Sequence, residues 1–415
     1  MSDSDYPRLL QPLLEEALDD TPVVLIHGPR QCGKTTLAQK IGNERGYRYL
    51  TFDDVNLVEA AKADPVGFVD RLDEQVILDE IQHVPELFSS IKQAVDRKRQ
   101  PGRFLLTGSA NVLLLPKLAD SLAGRMEILN LRPLARCEIE KSGDGLLTRI
   151  LGDDFSFRGA GKLGERLAAC VVEGGYPEPL KRGTERRKKQ WYLNYIKTLV
   201  QRDIRELARI SNLESIPKIL QLAAVQSAQL LNMSAIAAPF QMTRQTTSTY
   251  FTLLKNIFLV DVLPAWHNNR GKRLIKTPKV HMTDTGLAAV LLGMNAERLD
   301  ANRGMLGHLL ESFVYNELRR QASWANADID FYHFRDKDQY EVDIVMEQNG
   351  GEIIGIEVKA AATVTEKDFK GLKKLHATVG KSWKAGIVFY DGDMVLPFGE
   401  KMYAVPVSAL WGEIK

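Results

Sequence analysis

The chain has 415 residues, 44% of them hydrophobic and 26% charged, which is the composition of globular domains and length for about three of them. Its formal charge is +2, its three cysteines (Cys32, Cys137 and Cys170) stand apart with no metal-ligand spacing, and no apolar run approaches the roughly 18 residues of a membrane span. A disulfide scaffold, a zinc module and a membrane partner are set aside, and with a polar, partly acidic start the expected setting is a reducing cytoplasm.

In chain order, residues 22–27 form an apolar, β-branched run of buried-strand length. Residues 28–35 then read Gly-Pro-Arg-Gln-Cys-Gly-Lys-Thr, which satisfies G-x-x-x-x-G-K-[ST] without a mismatch. A helix is expected over 34–45. Strand, glycine-rich turn and helix are the context in which this pattern cradles nucleotide phosphates on backbone N–H groups. The cradle comprises Gly28, Pro29, Arg30, Gln31, Cys32, Gly33, Lys34, Thr35 and Thr36. Lys34 is expected on the β- and γ-phosphates, and Thr35 on Mg²⁺. Cys32 reads as a small apolar filler of the loop, with a redox switch as the minor alternative.

Residues 47–52 read as a strand, with Asp53 and Asp54 as turn residues beyond it. Residues 75–80 are an apolar strand ending in Asp79 and Glu80. Asp79 is expected to hold the Mg²⁺ shell and Glu80 to polarise water as general base, the pairing suited to ATP hydrolysis. A helix over 85–98 leads to a strand at 103–108, whose end carries Thr107 and Ser109. One of these two is the expected γ-phosphate sensor. A helix over 112–122 follows, and Arg125 precedes a strand at 126–131. Arg125 is either an arginine finger offered to a neighbouring subunit, which implies a homo-oligomer, or an ordinary surface arginine.

Charge is uneven along the chain. Residues 1–140 hold 17 Lys+Arg against 22 Asp+Glu, residues 181–292 hold 18 against 6, and residues 293–415 hold 15 against 19. A basic middle between acidic ends is expected of a chain that touches a phosphate polymer, so DNA is an expected partner beside ATP, with a solvated basic surface as the alternative. The middle opens on Gly174-Gly175-Tyr176-Pro177, a strong turn. From Glu185 a helix carries Trp191, Tyr195, Leu199 and Ile204 on one face and includes Arg202. Helices over 219–231, 234–238 and 243–254 precede strands at 258–263 and 279–283, joined by a basic turn, Arg270 to Arg273. Three helices and a hairpin describe a winged helix-turn-helix. Arg244, Gln245, Thr247 and Ser248 lie on its third helix.

The C-terminal part shows a helix over 307–318 with Glu311, strands at 329–334 and 340–346 with Asp343 in the second, a strand at 353–359, a helix at 366–375 and a strand at 385–390. Glu357 and Lys359 face the same side of their strand. Asp followed by Glu-x-Lys is the PD-(D/E)xK nuclease arrangement. Asp343 and Glu357 would hold Mg²⁺, Lys359 would orient the nucleophile, and Glu311 would complete the shell. A nuclease-like module that binds without cutting is the alternative.

These residues together resemble a family of prokaryotic AAA-type P-loop ATPases whose C-terminal domain of unknown function has a restriction-endonuclease-like fold. The resemblance rests on residues 28–35, Leu78-Asp79-Glu80-Ile81-Gln82, Leu105-Leu106-Thr107-Gly108-Ser109, Ser121-Leu122-Ala123-Gly124-Arg125, Gly174-Gly175-Tyr176-Pro177-Glu178, Arg202-Asp203-Ile204, Glu341-Val342-Asp343 and Ile356-Glu357-Val358-Lys359. It spans nearly the whole chain and implies ATP binding and a bacterial or archaeal source. The expected fold class is multidomain α/β. A P-loop ATPase domain takes 1–140, a helical lid or linker 141–210, a winged helix 211–295 and a PD-(D/E)xK-like domain 296–415. The expected function is Mg²⁺-dependent ATP hydrolysis that controls a DNA-binding C-terminal half, or a signalling ATPase whose C-terminal modules bind proteins.

Overall fold

The computed structural model describes residues 6–72, 74–109, 122–155, 157, 161–207, 213–325, 327–348 and 350–412. The chain divides into two compact units. One is Arg8–Leu134 with Asn256–Phe258, and the other is Met1–Pro7, Ala135–Lys255 and Leu259–Lys415.

The first unit runs α1 (Gln11–Asp20), β1 (Val23–His27), α2 (Lys34–Arg45), β2 (Arg48–Thr51), β3 (Val76–Asp79), α3 (Leu87–Arg97), β4 (Phe104–Gly108) and β5 (Met126–Asn130). Its sheet has the order β2-β3-β4-β1-β5, and every neighbouring pair is parallel. All residues of β1, β3 and β4 are buried, as expected where helices cover both faces of a parallel sheet. That is why these strands read as unbroken apolar runs. α3 turns Leu87, Phe88, Ile91, Ala94 and Val95 inward, a helical stripe that joins Val23, Leu25, Leu78 and Leu106 in one core. The five expected strands all form, trimmed by one or two residues at their ends. The helix expected over 112–122 lies outside the described residues except for its last.

The second unit begins with buried helical segments and α4 (Glu185–Gln201). The Thr184 side chain caps α4 by accepting from the Arg187 N–H, and Trp191, Tyr192, Tyr195, Ile196 and Leu199 are buried along it. The helix expected to continue to Ile204 breaks at Arg202, where a second helix (Asp203–Leu207) starts. α5 (Ser215–Val225), β6 (Gln229–Leu230), α6 (Met233–Ala237), α7 (Arg244–Asn256), β7 (Val260–Leu263) and β8 (Lys279–Met282) follow. These strands pair antiparallel in the order β6-β8-β7.

The single helix expected over 219–231 is corrected to α5 plus β6. Ala228 adopts a left-handed φ of 63°, and the N–H groups of Ala228 and Leu231 bond to Val280 and Pro278 carbonyls. Pairing with β8 thus takes the backbone donors a longer helix would use. Asn232 caps α6, and Thr243 accepts from the Thr246 N–H at the start of α7. Thr247, expected on this helix with Arg244, Gln245 and Ser248, is buried and donates to the Thr243 carbonyl. Its position on a 3.6-residue helix turns it toward the core.

After two short helices (Thr285–Leu291 and Ala296–Ala301) the unit continues with α8 (Arg303–Ala322), β9 (Ile329–Arg335), β10 (Glu341–Gln348), β11 (Glu352–Val358), α9 (Lys370–Val379), β12 (Trp383–Tyr390), β13 (Leu396–Pro397) and β14 (Met402–Pro406). The sheet order is β13-β14-β12-β11-β10-β9. β9, β10 and β11 are antiparallel, and β11, β12 and β14 are parallel. The pairing of β9 with β10 shifts register between Val342 and Val345, so Asp343 sits at a bulge, a device that re-aims side chains.

Residues 135–255 and 259–415 fall in the second unit, and buried polar groups tie its parts together. Asp284, fully buried just beyond β8, accepts from the Gly175 N–H at 2.7 Å, the Tyr192 hydroxyl at 3.0 Å, the Leu287 N–H at 2.9 Å and the Arg320 guanidinium at 3.2 Å. One carboxylate therefore joins the 174–176 turn, α4 and α8. Gly174 has φ +71°, and a Cβ there would lie 2.5 Å from Asp284 Oδ1. The turn needs glycine for conformation and for space.

Candidate functional site

β1, β3 and β4 end side by side, and the sequence places its polar residues at those ends, where open parallel sheets hold ligands. The loop after β1 is shaped by two left-handed residues, Gln31 (φ 60°) and Gly33 (φ 101°), so successive N–H groups curve into a concave cradle. A Cβ at Gly28 would lie 2.0 Å from the Leu131 carbonyl oxygen, which leaves glycine as the residue that fits. Cys32 is buried, and its thiol donates to Leu131 O at 3.3 Å. Lys34 is buried and donates to the Gly28 and Pro29 carbonyls at 3.1 and 2.8 Å. Its ammonium therefore lies over the loop where phosphate oxygens would replace those carbonyls. Thr36 is exposed on the first turn of α2.

Asp79 is the focus of the site. Its Oδ1 accepts from the Thr35 hydroxyl at 2.9 Å and the Thr107 hydroxyl at 2.5 Å, and its Oδ2 accepts from Tyr49 at 2.8 Å. Thr35 and Asp79 are adjacent hard oxygen donors, which is the chemistry Mg²⁺ requires. Glu80 takes a left-handed φ of 57°, a costly conformation that clusters at functional positions. Its N–H donates to Thr107 Oγ1 at 3.1 Å, so Thr107 orients both acids. Ser109 is buried, and its N–H meets Gln82 Oε1 at 3.4 Å. Gln82 also donates to the Glu80 carboxylate, and Arg30 approaches Glu80 at 4.0 Å. Arg125 is not brought to this group. It forms a bidentate ion pair with Asp96, at 2.6 and 3.1 Å, on the exposed surface.

Three contributors escaped the sequence reading. Arg8 donates to the Cys32 and Arg132 carbonyls at 2.7 Å each and so braces the loop from before α1. Burial and the bond to Asp79 push the Tyr49 phenol up to about 12, so it remains a donor. Gln82 stands at the end of the Leu78-Asp79-Glu80-Ile81-Gln82 run, with no role expected of it. Arg8 and Tyr49 carry no local signal, because each acts on a residue distant in sequence.

The C-terminal constellation also assembles, with one addition. Lys359 donates to Glu357 at 2.8 Å, as expected for side chains sharing a strand face. Asp343 Oδ2 accepts from the Val358 N–H at 3.0 Å. Between Glu311 and Asp343 lies Lys279 of β8, donating to the two carboxylates at 2.7 and 3.0 Å. Lys279, Glu311 and Asp343 are 5%, 8% and 9% exposed. Burial opposes the Lys279 charge, yet Glu311 and Asp343 outweigh it and hold the ammonium well above its ordinary value. Asp343, despite its burial, is held below its ordinary value by Lys279 and Lys359. Burial and the Asp343 charge push Glu311 well up and Glu357 to about 8. The Mg²⁺ shell expected from Glu311, Asp343 and Glu357 is corrected accordingly. Among the described residues no group of three or more His, Cys, Asp or Glu side chains is arranged to hold a metal.

The basic turn is likewise altered. Residues Arg270–Arg273 form a short helical turn capped by Asn269. Arg270 and Lys272 are exposed, whereas Arg273 is buried against Trp266 and Tyr332 and pairs with Glu347 at 2.5 Å. Among the described residues no helix is long and apolar enough to cross a membrane.

Family models match three stretches of the chain. An AAA domain matches residues 20–140, a domain of unknown function, DUF8612, matches residues 164–298, and a second one, DUF4143, matches residues 306–410. The N-terminal domain is thus a P-loop domain of AAA type. The uncharacterized protein Rv2008c of Mycobacterium tuberculosis and the uncharacterized protein Mb2031c of Mycobacterium bovis are each 30% identical to this chain over 399 residues, 96% of it and 82% of theirs. Among solved structures, the Walker-type ATPase PABY2304 of Pyrococcus abyssi is 18% identical with a TM-score of 0.42, over 68% of this chain and 94% of that one. The RuvB Holliday junction branch migration motor of Thermotoga maritima is 20% identical with a TM-score of 0.30, over 64% and 93%. At these values neither structure bears on function.

Proposed function

This chain belongs to the family of the mycobacterial proteins Rv2008c and Mb2031c, and from that premise we propose that it binds and hydrolyses ATP with Mg²⁺ at the site between β1, β3 and β4. The observation that carries the reading is the convergence of the Thr35 and Thr107 hydroxyls on one oxygen of Asp79, with Glu80 next to it. Thr35 and Asp79 hold Mg²⁺, which when bound neutralises charge on the phosphates. Lys34 exchanges its two loop carbonyls for phosphate oxygens. Glu80 orients the attacking water and accepts its proton, while Thr107 fixes the Glu80 backbone and the Asp79 carboxylate. Replacing Glu80 by Gln keeps the shape and removes the base. Nucleotide binding is expected to persist while phosphate release falls by about 10²-fold or more. Unchanged release in Glu80→Gln rejects the assignment.

We read α5, α6 and α7 with β6, β7 and β8 as a winged helix, and β9 to β12 with α8 as a restriction-endonuclease-like module. ATP turnover then controls DNA binding. Supporting this are the strand order β6-β8-β7 and the exposed Arg244, Gln245 and Ser248 on α7, with Arg270 and Lys272 on the connecting turn. Duplex DNA should bind with an affinity that falls steeply with salt. No binding at low salt transfers the reading to protein partners. A finger role for Arg125 requires it to leave Asp96 in a homo-oligomer. Specific ATPase activity then rises with protein concentration, and a flat profile returns Arg125 to the surface.

A further inference from the structure

The carboxylate cluster of the second unit does not fit a divalent metal as it stands. Such a site needs several hard oxygens converging on one point at about 2.0–2.6 Å. Here four of those oxygens already have donors. Glu311 Oε1 and Asp343 Oδ1 accept from Lys279, Asp343 Oδ2 accepts from the Val358 N–H, and Glu357 Oε1 accepts from Lys359. Among the described residues, Glu357 Oε2 is buried without a hydrogen-bond partner.

We propose that Lys279 is a built-in cation: its ammonium holds the position between Glu311 and Asp343 that a divalent ion would take, the intact chain is closed to metal there, and withdrawing that side chain uncovers a latent Mg²⁺ or Mn²⁺ site formed by Glu311, Asp343 and Glu357. The placement is not that of a surface lysine folding over a carboxylate. Lys279 is the first residue of β8, held in register opposite Leu230 of β6 and Leu263 of β7. The three-stranded sheet therefore delivers the ammonium into the six-stranded sheet's acidic cluster. From the other side, the register shift at Val342/Val345 aims Asp343 at the same point. A point charge with three donors suits two carboxylates where geometry is fixed, and a buried charge without this partner would be costly. Lys279 is part of β8, so any metal chemistry of this module is tied to the three-stranded sheet that holds that side chain. The inference is independent of the ATPase reading.

Two measurements on the full chain without nucleotide test it. Amine acetylation followed by mass spectrometry should show Lys279 protected relative to the exposed Lys272, equally with and without millimolar Mg²⁺. Mn²⁺ titration by electron paramagnetic resonance should find no Asp343-dependent site in the wild type. Lys279→Met should gain one Mn²⁺ per chain, bound about tenfold tighter or more than by the wild type, and Lys279→Met/Asp343→Asn should lose it again. The proposal is overturned if Mg²⁺ exposes Lys279 to acetylation, if Asp343→Asn removes Mn²⁺ from the wild type, or if a folded Lys279→Met gains no site. Should Lys279→Met fail to fold, the wild-type acetylation result decides.

Discussion

The Thr35 hydroxyl donates to Asp79 Oδ1 at 2.9 Å across a separation of 44 residues, and Thr107 reaches the same oxygen from β4. The phosphate loop and two strand ends are thereby tied through one atom. Thr35→Ala removes a metal-facing hydroxyl while leaving Asp79 held by Thr107 and Tyr49. Turnover is expected to fall roughly 10–100-fold, with nucleotide affinity losing its dependence on Mg²⁺. Thr35→Ser should restore both. Phosphate release and titration of a fluorescent ATP analogue with and without Mg²⁺ check this, and a Thr35→Ala protein with wild-type turnover contradicts it.

Gly28→Ala tests the shape of the loop. The added carbon would sit 2.0 Å from the Leu131 carbonyl oxygen, and that oxygen belongs to backbone. The loop must move away from the segment after β5, so nucleotide affinity should drop about tenfold or more. Equal affinity in the variant would mean that the loop adapts freely.

Asp284 serves four donors in the second unit, among them Arg320, itself 3% exposed. Asp284→Ala leaves the buried Arg320 guanidinium with Glu317 alone and takes the acceptor from the Tyr192 hydroxyl, so a loss of roughly 3–5 kcal/mol is expected. All five tryptophans (Trp191, Trp266, Trp324, Trp383 and Trp411) lie in this unit. Tryptophan fluorescence in urea therefore reads its unfolding directly. A shift no larger than that of an exposed substitution would show that the network contributes little.

Glu357 makes stability depend on pH. Burial, with the Asp343 charge beside it, pushes this carboxyl from 4.5 up to about 8, while Lys359 and Lys279 oppose the shift. The folded state therefore keeps a proton that the unfolded chain releases. Its stabilising share is complete below the unfolded value and is lost as pH rises through about 8. Glu357→Gln cannot titrate. The urea midpoint of the wild type should fall relative to Glu357→Gln between mildly acidic and mildly alkaline pH. Parallel midpoints across that range would show that Glu357 is ionised in the folded chain.

Much of the first unit was legible because its signals are local. β1, β3 and β4 are buried on both faces, so each reads as an apolar run, and the loop glycines answer to φ and to close approach at single positions. The second unit was less legible. β6 is two residues long, and only its pairing with β8 distinguishes it from the end of a helix. Strand β14 ends in Pro406 and alternates weakly. Arg273 was counted with the basic surface because charge in a sequence does not reveal burial.

The sequence by itself determined the phosphate loop, the acidic strand end at Asp79 and Glu80, and the residues Asp343, Glu357 and Lys359 that share a corner of the six-stranded sheet. Each follows from short-range rules of strand alternation, turn conformation and helix capping. Only the tertiary structure decided which cation meets which carboxylate: Lys279 with Glu311 and Asp343, Arg320 with Asp284, and Arg125 with Asp96. Pairing across β8, α8 and β10 depends on how separate elements pack and on how burial and neighbouring charges set protonation, and neither is written in local periodicity.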